Sequence, residues 1–257
     1  MDVTRKTAAF AALCLFTVWM LATWLLEGRV ETLLRPNAVT DRIIYIGVAN
    51  ILIGILGSAL LLRLFVSADP AAMRLTGFGS VKRSALWVPI GIVAGLVLYS
   101  RQGAPSTDPV VVINAYAQVF VVSIAEVLVC WAVTASAIDR AIRGPIWLAV
   151  PLAALAASVL FGIYHFAHSP PFNTIGMVVF LTAIGLLTGT FFFLSKDVYA
   201  TIVFHNFLGV IGVVQALAAK DQLAGLRSLQ IPLIGTALTA LSFLVLADIF
   251  IVRPRSA

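Results

Sequence analysis

Apolar residues in this chain gather into eight long runs divided by short polar gaps. The runs are Thr7–Leu26, Asp41–Val66, Ser84–Ser100, Val110–Ile138, Ile146–Ala167, Thr174–Leu194, Val198–Ala219 and Leu229–Val252. About 20 consecutive apolar residues cross a bilayer's hydrocarbon core. Backbone polar groups in lipid need partners within their own segment, so each run is expected to be a helix. The gaps carry turn chemistry: Pro36-Asn37 in Glu27–Thr40, two prolines in Arg101–Pro109, Gly144-Pro145, the Ser169-Pro-Pro-Phe-Asn173 stop, and Ser195-Lys-Asp197. In the gap Ser67–Arg83, Met73, Leu75 and Phe78 are compatible with a segment lying on the membrane surface, and an ordinary linker is the simpler reading. No repeat or low-complexity tract is visible. The expected fold class is all-α, a polytopic membrane bundle of about eight transmembrane helices.

Composition agrees with the pattern. The chain is 61% hydrophobic and 11% charged, against about 25% charged residues in a soluble domain. The first run follows the basic stretch Met1–Lys6 but is too long for a signal-peptide core, so it is expected to be retained as a span. The net charge of +6 does not imply nucleic acid, because the basic residues are scattered between apolar runs, as beside anionic headgroups. With the N-terminus inside, 11 Lys and Arg fall on the cytoplasmic side and 6 opposite, accounting for all 17. That bias predicts both termini in the cytoplasm, and the cell membrane is the expected location. Cys14 and Cys130 lie inside apolar runs and read as small buried hydrophobes.

Candidate chemistry lies in the polar residues within the runs. Glu126 is the one acid placed deep inside an apolar run; the other ten sit in gaps or near segment ends. A carboxylate at mid-membrane costs about 2.5–3.5 kcal/mol on insertion scales and marks a functional site by default. The only three histidines are His165 and His168, three residues apart at the end of the fifth run, and His205 in the seventh. Pro145 is the midpoint between Glu126 and His165, so an antiparallel hairpin turning there brings the two to one depth. His205 begins eight residues beyond the Ser195–Asp197 turn and matches that depth less closely. His168, at its span end, reads equally as an interfacial or a supporting group. No HExxH, GxSxG, P-loop or cysteine cluster is present.

These residues resemble the CPBP family, the Abi-like intramembrane endopeptidases related to the type II CAAX prenyl protease. That family carries Glu-Glu-x-x-x-Arg, Phe-x-x-x-His and His-x-x-x-Asn on successive membrane helices. Phe161-Gly-Ile-Tyr-His165 matches the second motif in full, and Glu126 and His205 flank it at nearly equal spacing. With Glu126 as the first motif glutamate, Val127 stands at the second and Trp131 at the arginine; Gly209 stands at the asparagine, with Asn206 nearby. The resemblance implies a core over 110–219, with a three-span region at 1–109 and a final span and tail at 220–257, all one membrane domain.

What the resemblance implies is an intramembrane endopeptidase. Glu126 would activate water for attack on a peptide bond of a prenylated or membrane-inserted substrate. His165 and His205 would orient that water or stabilise the oxyanion, with Phe161, His168 and Asn206 in support. No cofactor is required, with zinc the one candidate, held by His165, His205 and Glu126. The implied partners are a membrane-associated peptide or protein and the lipid bilayer, with no nucleic acid; the oligomeric state is open. Trp131 and Gly209 keep a second reading open, a catalytically silent relative acting as a scaffold. A proton-coupled carrier is a third, disfavoured by the lack of paired halves.

Overall fold

The computed structural model describes residues 3–32, 35, 38–103, 106–142 and 144–253. The turn signal at Pro36-Asn37 lies outside the described residues. Among them the chain is helical throughout, without strands, and eight helices are long and apolar enough to cross a membrane. They are α1 (Arg5–Gly28), α2 (Val39–Ala68), α3 (Val81–Arg101), α4 (Pro109–Ala141), α5 (Ile146–Ala167), α6 (Ile175–Ser195), α7 (Val198–Ala219) and α8 (Ile231–Val252). Every helix coincides with one of the eight apolar runs to within a few residues.

Short polar side chains start four of these helices. Asp108, Ser80, Thr174 and Asp197 each accept a backbone N–H of the first turn, at the heads of α4, α3, α6 and α7. Each replaces a partner that the helix start lacks. α6 ends at Lys196, which takes the left-handed conformation (φ 48°). One residue later Asp197 caps α7, and its other carboxylate oxygen accepts Ser84 Oγ–H at 2.6 Å, tying α3 to the turn.

α4 is the axis of the bundle. Of its most apolar window 94% is buried, against 11–56% for the other seven helices, whose outer faces are left for lipid. α2, α7 and α8 pack directly on it, α3 covers α7, and α6 leans on α5. α4 and α5 form a hairpin across the short 142–145 gap. Directly after Glu126 the backbone of α4 changes to i→i+5 bonding over Val127–Ala135. Trp131 lies within that more loosely wound segment.

Two expectations are corrected. Cys14 is exposed on the outer face of α1, whereas Cys130 is buried. Phe78 is not a surface residue: it is 3% exposed and sits edge-on to Tyr199, because the 67–80 segment folds back under the bundle.

Candidate functional site

The site is assembled by α4, α5 and α7, and held from behind by α1 and α2. Glu126 faces both histidines of the matched pattern. Its Oε2 lies 2.9 Å from His205 Nε2 and its Oε1 lies 3.8 Å from His165 Nε2. The depth mismatch expected for His205 is absent, since its ring reaches Glu126 directly. All three residues are buried, with 3–7% of each exposed.

Each imidazole is oriented by its second nitrogen. His165 Nδ1–H donates to the Phe161 carbonyl at 2.8 Å, one turn back in α5, where a carbonyl can only accept. That leaves the Nε2 lone pair facing Glu126. His205 Nδ1 lies 2.9 Å from Thr188 Oγ1 on α6, and that hydroxyl also reaches the Ile184 carbonyl at 3.1 Å. The Thr188 proton can satisfy only one of the two. Given to Ile184, it leaves Thr188 to accept from His205, and the proton on the Glu126–His205 bond then comes from Glu126 or from an imidazolium. Given to His205, it makes Nε2–H the donor to a Glu126 carboxylate.

Aromatic rings wall the site. Phe161 sits 4.6 Å from His165 and 5.3 Å from His205 between ring centroids. Trp131 sits 5.1 Å from Phe161 and 5.3 Å from His205, fully buried. A Cβ on Gly189 would stand 2.9 Å from Trp131 Nε1, so the glycine makes room for the indole.

Sequence reasoning missed one arm of the site. Glu27, at the end of α1, was expected in a polar gap; it is completely buried, so Glu126 is not the only interior carboxylate. Asp197 and Asp248 are buried as well. Glu27 accepts three hydrogen bonds, from His168 Nδ1–H at 3.0 Å, Ser169 N–H at 3.0 Å and Ser169 Oγ–H at 2.6 Å. His168 is therefore no interfacial group: it is 4% exposed, with Nε2 lacking a partner. The last turn of α5 tightens to a 3-10 helix over His165–Ala167, and in that winding residues i and i+3 eclipse. His168 accordingly lies over His165, with ring centroids 5.3 Å apart. The i, i+3 spacing was the available signal; the tightening was not. Tyr164 supports both rings edge-on, stacks on Trp19 at 3.7 Å, and shares its hydroxyl with Thr23 and Tyr45.

Asn206 takes another role. Its Oδ1 accepts Ser123 Oγ–H at 3.0 Å and its Nδ2 donates to the Tyr116 carbonyl at 3.1 Å, so it fastens α7 to α4. Gly209 instead lines the cavity. A Cβ there would stand 2.5 Å from Val119 Cγ1.

The polar cluster opens on a cavity of about 380 Å³ between α6 and α7. Glu126, His165, His168 and His205 form its polar end; Leu98, Val119, Phe180, Ile184, Leu208 and Ile211 are among its apolar walls. For a metal, the ligand atoms that converge are those of Glu126, His165 and His168, all within 4.8 Å of one another. Two imidazoles and a carboxylate suit zinc by donor type. The expected third donor, His205, has its Nε2 engaged by Glu126.

Residues 108–211 match the family model for the type II CAAX prenyl endopeptidase Rce1-like proteins. Neither a curated protein nor a solved structure matches the chain.

Proposed function

We propose, from the premise that this integral membrane chain carries an Rce1-like type II CAAX prenyl endopeptidase segment over 108–211, that it hydrolyses a peptide bond of a prenylated or membrane-inserted substrate at Glu126. The observation that carries the reading is one carboxylate shared between two oriented imidazoles at the polar end of an apolar cavity. The family is a protease family, and the cavity suits a substrate with a long apolar group beside a polar reacting centre.

In this reading a water sits between Glu126 Oε1 and His165 Nε2, donating one proton towards each. Glu126 removes its proton as the oxygen attacks the carbonyl carbon, and the carbonyl π pair moves onto oxygen. When the tetrahedral species collapses, the C–N bond breaks and the amine leaves with the proton that Glu126 held. His205 steadies the carboxylate through Oε2 in both steps. Low polarity around the pair strengthens each of these interactions. Where a divalent cation is bound, Glu126, His165 and His168 would hold it, and it would supply Lewis-acid activation of water and carbonyl.

The test is cleavage of fluorogenic prenylated and transmembrane peptides by purified protein, scored against folded protein in detergent. Glu126→Gln keeps the size and hydrogen-bonding capacity of the side chain but cannot take a proton at neutral pH. Turnover should fall by a factor of about 10²–10⁴. Equal turnover by wild type and variant would remove the glutamate mechanism. Absence of turnover by wild type across a broad peptide set would favour the silent scaffold.

A further inference from the structure

The cavity lies in one half of the bundle. Successive helices run in opposite directions, so the starts of α4 and α6 and the ends of α3, α5 and α7 lie together, opposite the end that holds the start of α1 and the finish of α8. Among the described residues, the lining of the cavity falls within 98–102 on α3, 119–126 on α4, 161–168 on α5, 177–187 on α6 and 205–216 on α7. On α4 these positions lie towards the helix start from Glu126, and on α7 towards the helix finish from His205. From His205 to Gln215 is ten residues, about 15 Å of helix. Gln102 and Gln215, both exposed, are the polar lining residues at the far end. A path leads from the carboxylate, near the middle of α4, to the face away from the chain's two ends.

The opposite end is plugged. The segment between α2 and α3 folds under the bundle and is tied there at four points. Arg140 Nη2–H donates to Asp69 Oδ2 at 3.0 Å, and Ser136 Oγ–H to the Leu75 carbonyl at 2.6 Å, both from α4. Val198 N–H of α7 donates to the Gly77 carbonyl at 2.9 Å, and Arg253 Nη2–H, just past α8, to the Gly79 carbonyl at 3.2 Å. Gly77 has a φ of 78°, and a Cβ there would stand 2.7 Å from Phe192 and 2.8 Å from Val198, so the turn is pressed against α6 and α7. Phe78, Phe192, Val198, Trp131 and Phe161 belong to one buried apolar cluster between this turn and the polar site. Interiors packed in this way hold few voids as large as a water molecule.

We propose that the site is entered from the side away from the chain's two ends, the predicted non-cytoplasmic side, and that its substrate is a membrane-inserted peptide whose scissile bond lies in that half of the bilayer. The plugged end carries the excess of Lys and Arg, which predicts that it faces the cytoplasm. A lipidated tail anchored in the cytoplasmic leaflet would meet the plug. A spanning peptide is presented to the cavity from within the membrane. The apolar walls suit its side chains, and the glutamines at the mouth suit the backbone polar groups of a stretch unwound for cleavage. The substrate rests on the peptidase reading; the entrance does not.

Detergent erases the difference between the two faces, so the experiment uses intact cells and inverted membrane vesicles bearing the full-length protein. Single cysteines are introduced in a Cys14→Ala background, with Cys130 kept because it is buried. The probe is a charged, membrane-impermeant maleimide. Gln215→Cys at the mouth and Leu208→Cys along the path should be labelled in intact cells. Arg74→Cys, exposed on the plug segment, should be labelled only in inverted vesicles. The background chain should stay unlabelled from both faces. Leu208→Cys labelled from the same face as Arg74→Cys, or from neither, would overturn the entrance. A swap of all three labels would overturn its non-cytoplasmic side. Single-span reporters carrying the same randomised segment in the outer or the inner half of the span then read the substrate. Cleavage that is lost in Glu126→Gln should be confined to the outer-half set. Cleavage confined to the inner-half set, or to prenylated cytoplasmic tails, would overturn the substrate. No cleavage of any set would remove the substrate together with the peptidase reading and leave the labelling result standing.

Discussion

Gly209 stands on α7 at the place where the resembling family has an asparagine, and its surroundings explain why a side chain is absent. Val119 Cγ1 fills the space that a Cβ would need. Gly209→Asn alone should therefore lower the yield of folded protein, and Gly209→Asn with Val119→Ala should restore it. The check is gel-filtration recovery of the two variants; equal recovery would show that Val119 does not control the position. Trp131, at the arginine position, fills a fully buried space between Phe161, His205 and Gly189. Truncation removes a large apolar volume that the neighbours cannot refill, so Trp131→Ala should cost about 3–5 kcal/mol of stability. Unfolding in mixed micelles measures it, and a loss under about 1 kcal/mol would contradict tight packing there.

α6 and α7 shape the cavity, and their spacing sets what can enter. Gly212 lines it from α7, and a Cβ there meets only Phe172 at 3.9 Å, an ordinary contact. Leucine is also the better helix former. Gly212→Leu should fold as well as wild type while narrowing the cavity, weakening binding of a long apolar substrate by about tenfold or more, equivalent to at least ~1.4 kcal/mol. Competition between a fluorescent prenylated peptide and unlabelled ligand reads this directly; unchanged affinity would place the apolar group elsewhere. Where the end of α1 meets the end of α5 the contact is polar instead. Ser169 gives Glu27 two of its three hydrogen bonds. Ser169→Ala removes the hydroxyl donor and keeps the backbone one, so it should cost about 1–3 kcal/mol. Both α1 and α5 should become more prone to proteolysis near their adjoining ends.

At the scale of the molecule, eight helices long enough to span, among the described residues, predict that the two ends of the bundle lie on one side of the membrane. The bias of 11 basic residues against 6 predicts that this side is the cytoplasm. Reporter fusions at each end should both report a cytoplasmic location. A split result would require an odd number of crossings, and two external ends would invert the arrangement.

The eight helices and their limits were legible in the sequence because lipid imposes a length and forbids unpaired backbone, and both constraints act within each run. Glu126, His165 and His205 were legible because a polar group inside an apolar run is costly and therefore conspicuous. Glu27 was not, because it sits at the end of its run, where a charge is expected to meet water. Only the packing of α1 beside the end of α5 buries it. The direction of His168 depended on a local tightening of α5 to 3-10 winding, and the position of Trp131 on the looser winding of α4. Neither leaves a periodic signature in a helix that is apolar on every side. Asn206 faces Ser123 rather than the cavity for a related reason: rotation about the axis of α7 is set by its fit against α3 and α4. Composition and periodicity act along the chain and settle what crosses the membrane. Which polar groups meet depends on how the helices rotate and seat against one another, and that is decided by side-chain shape across distant segments.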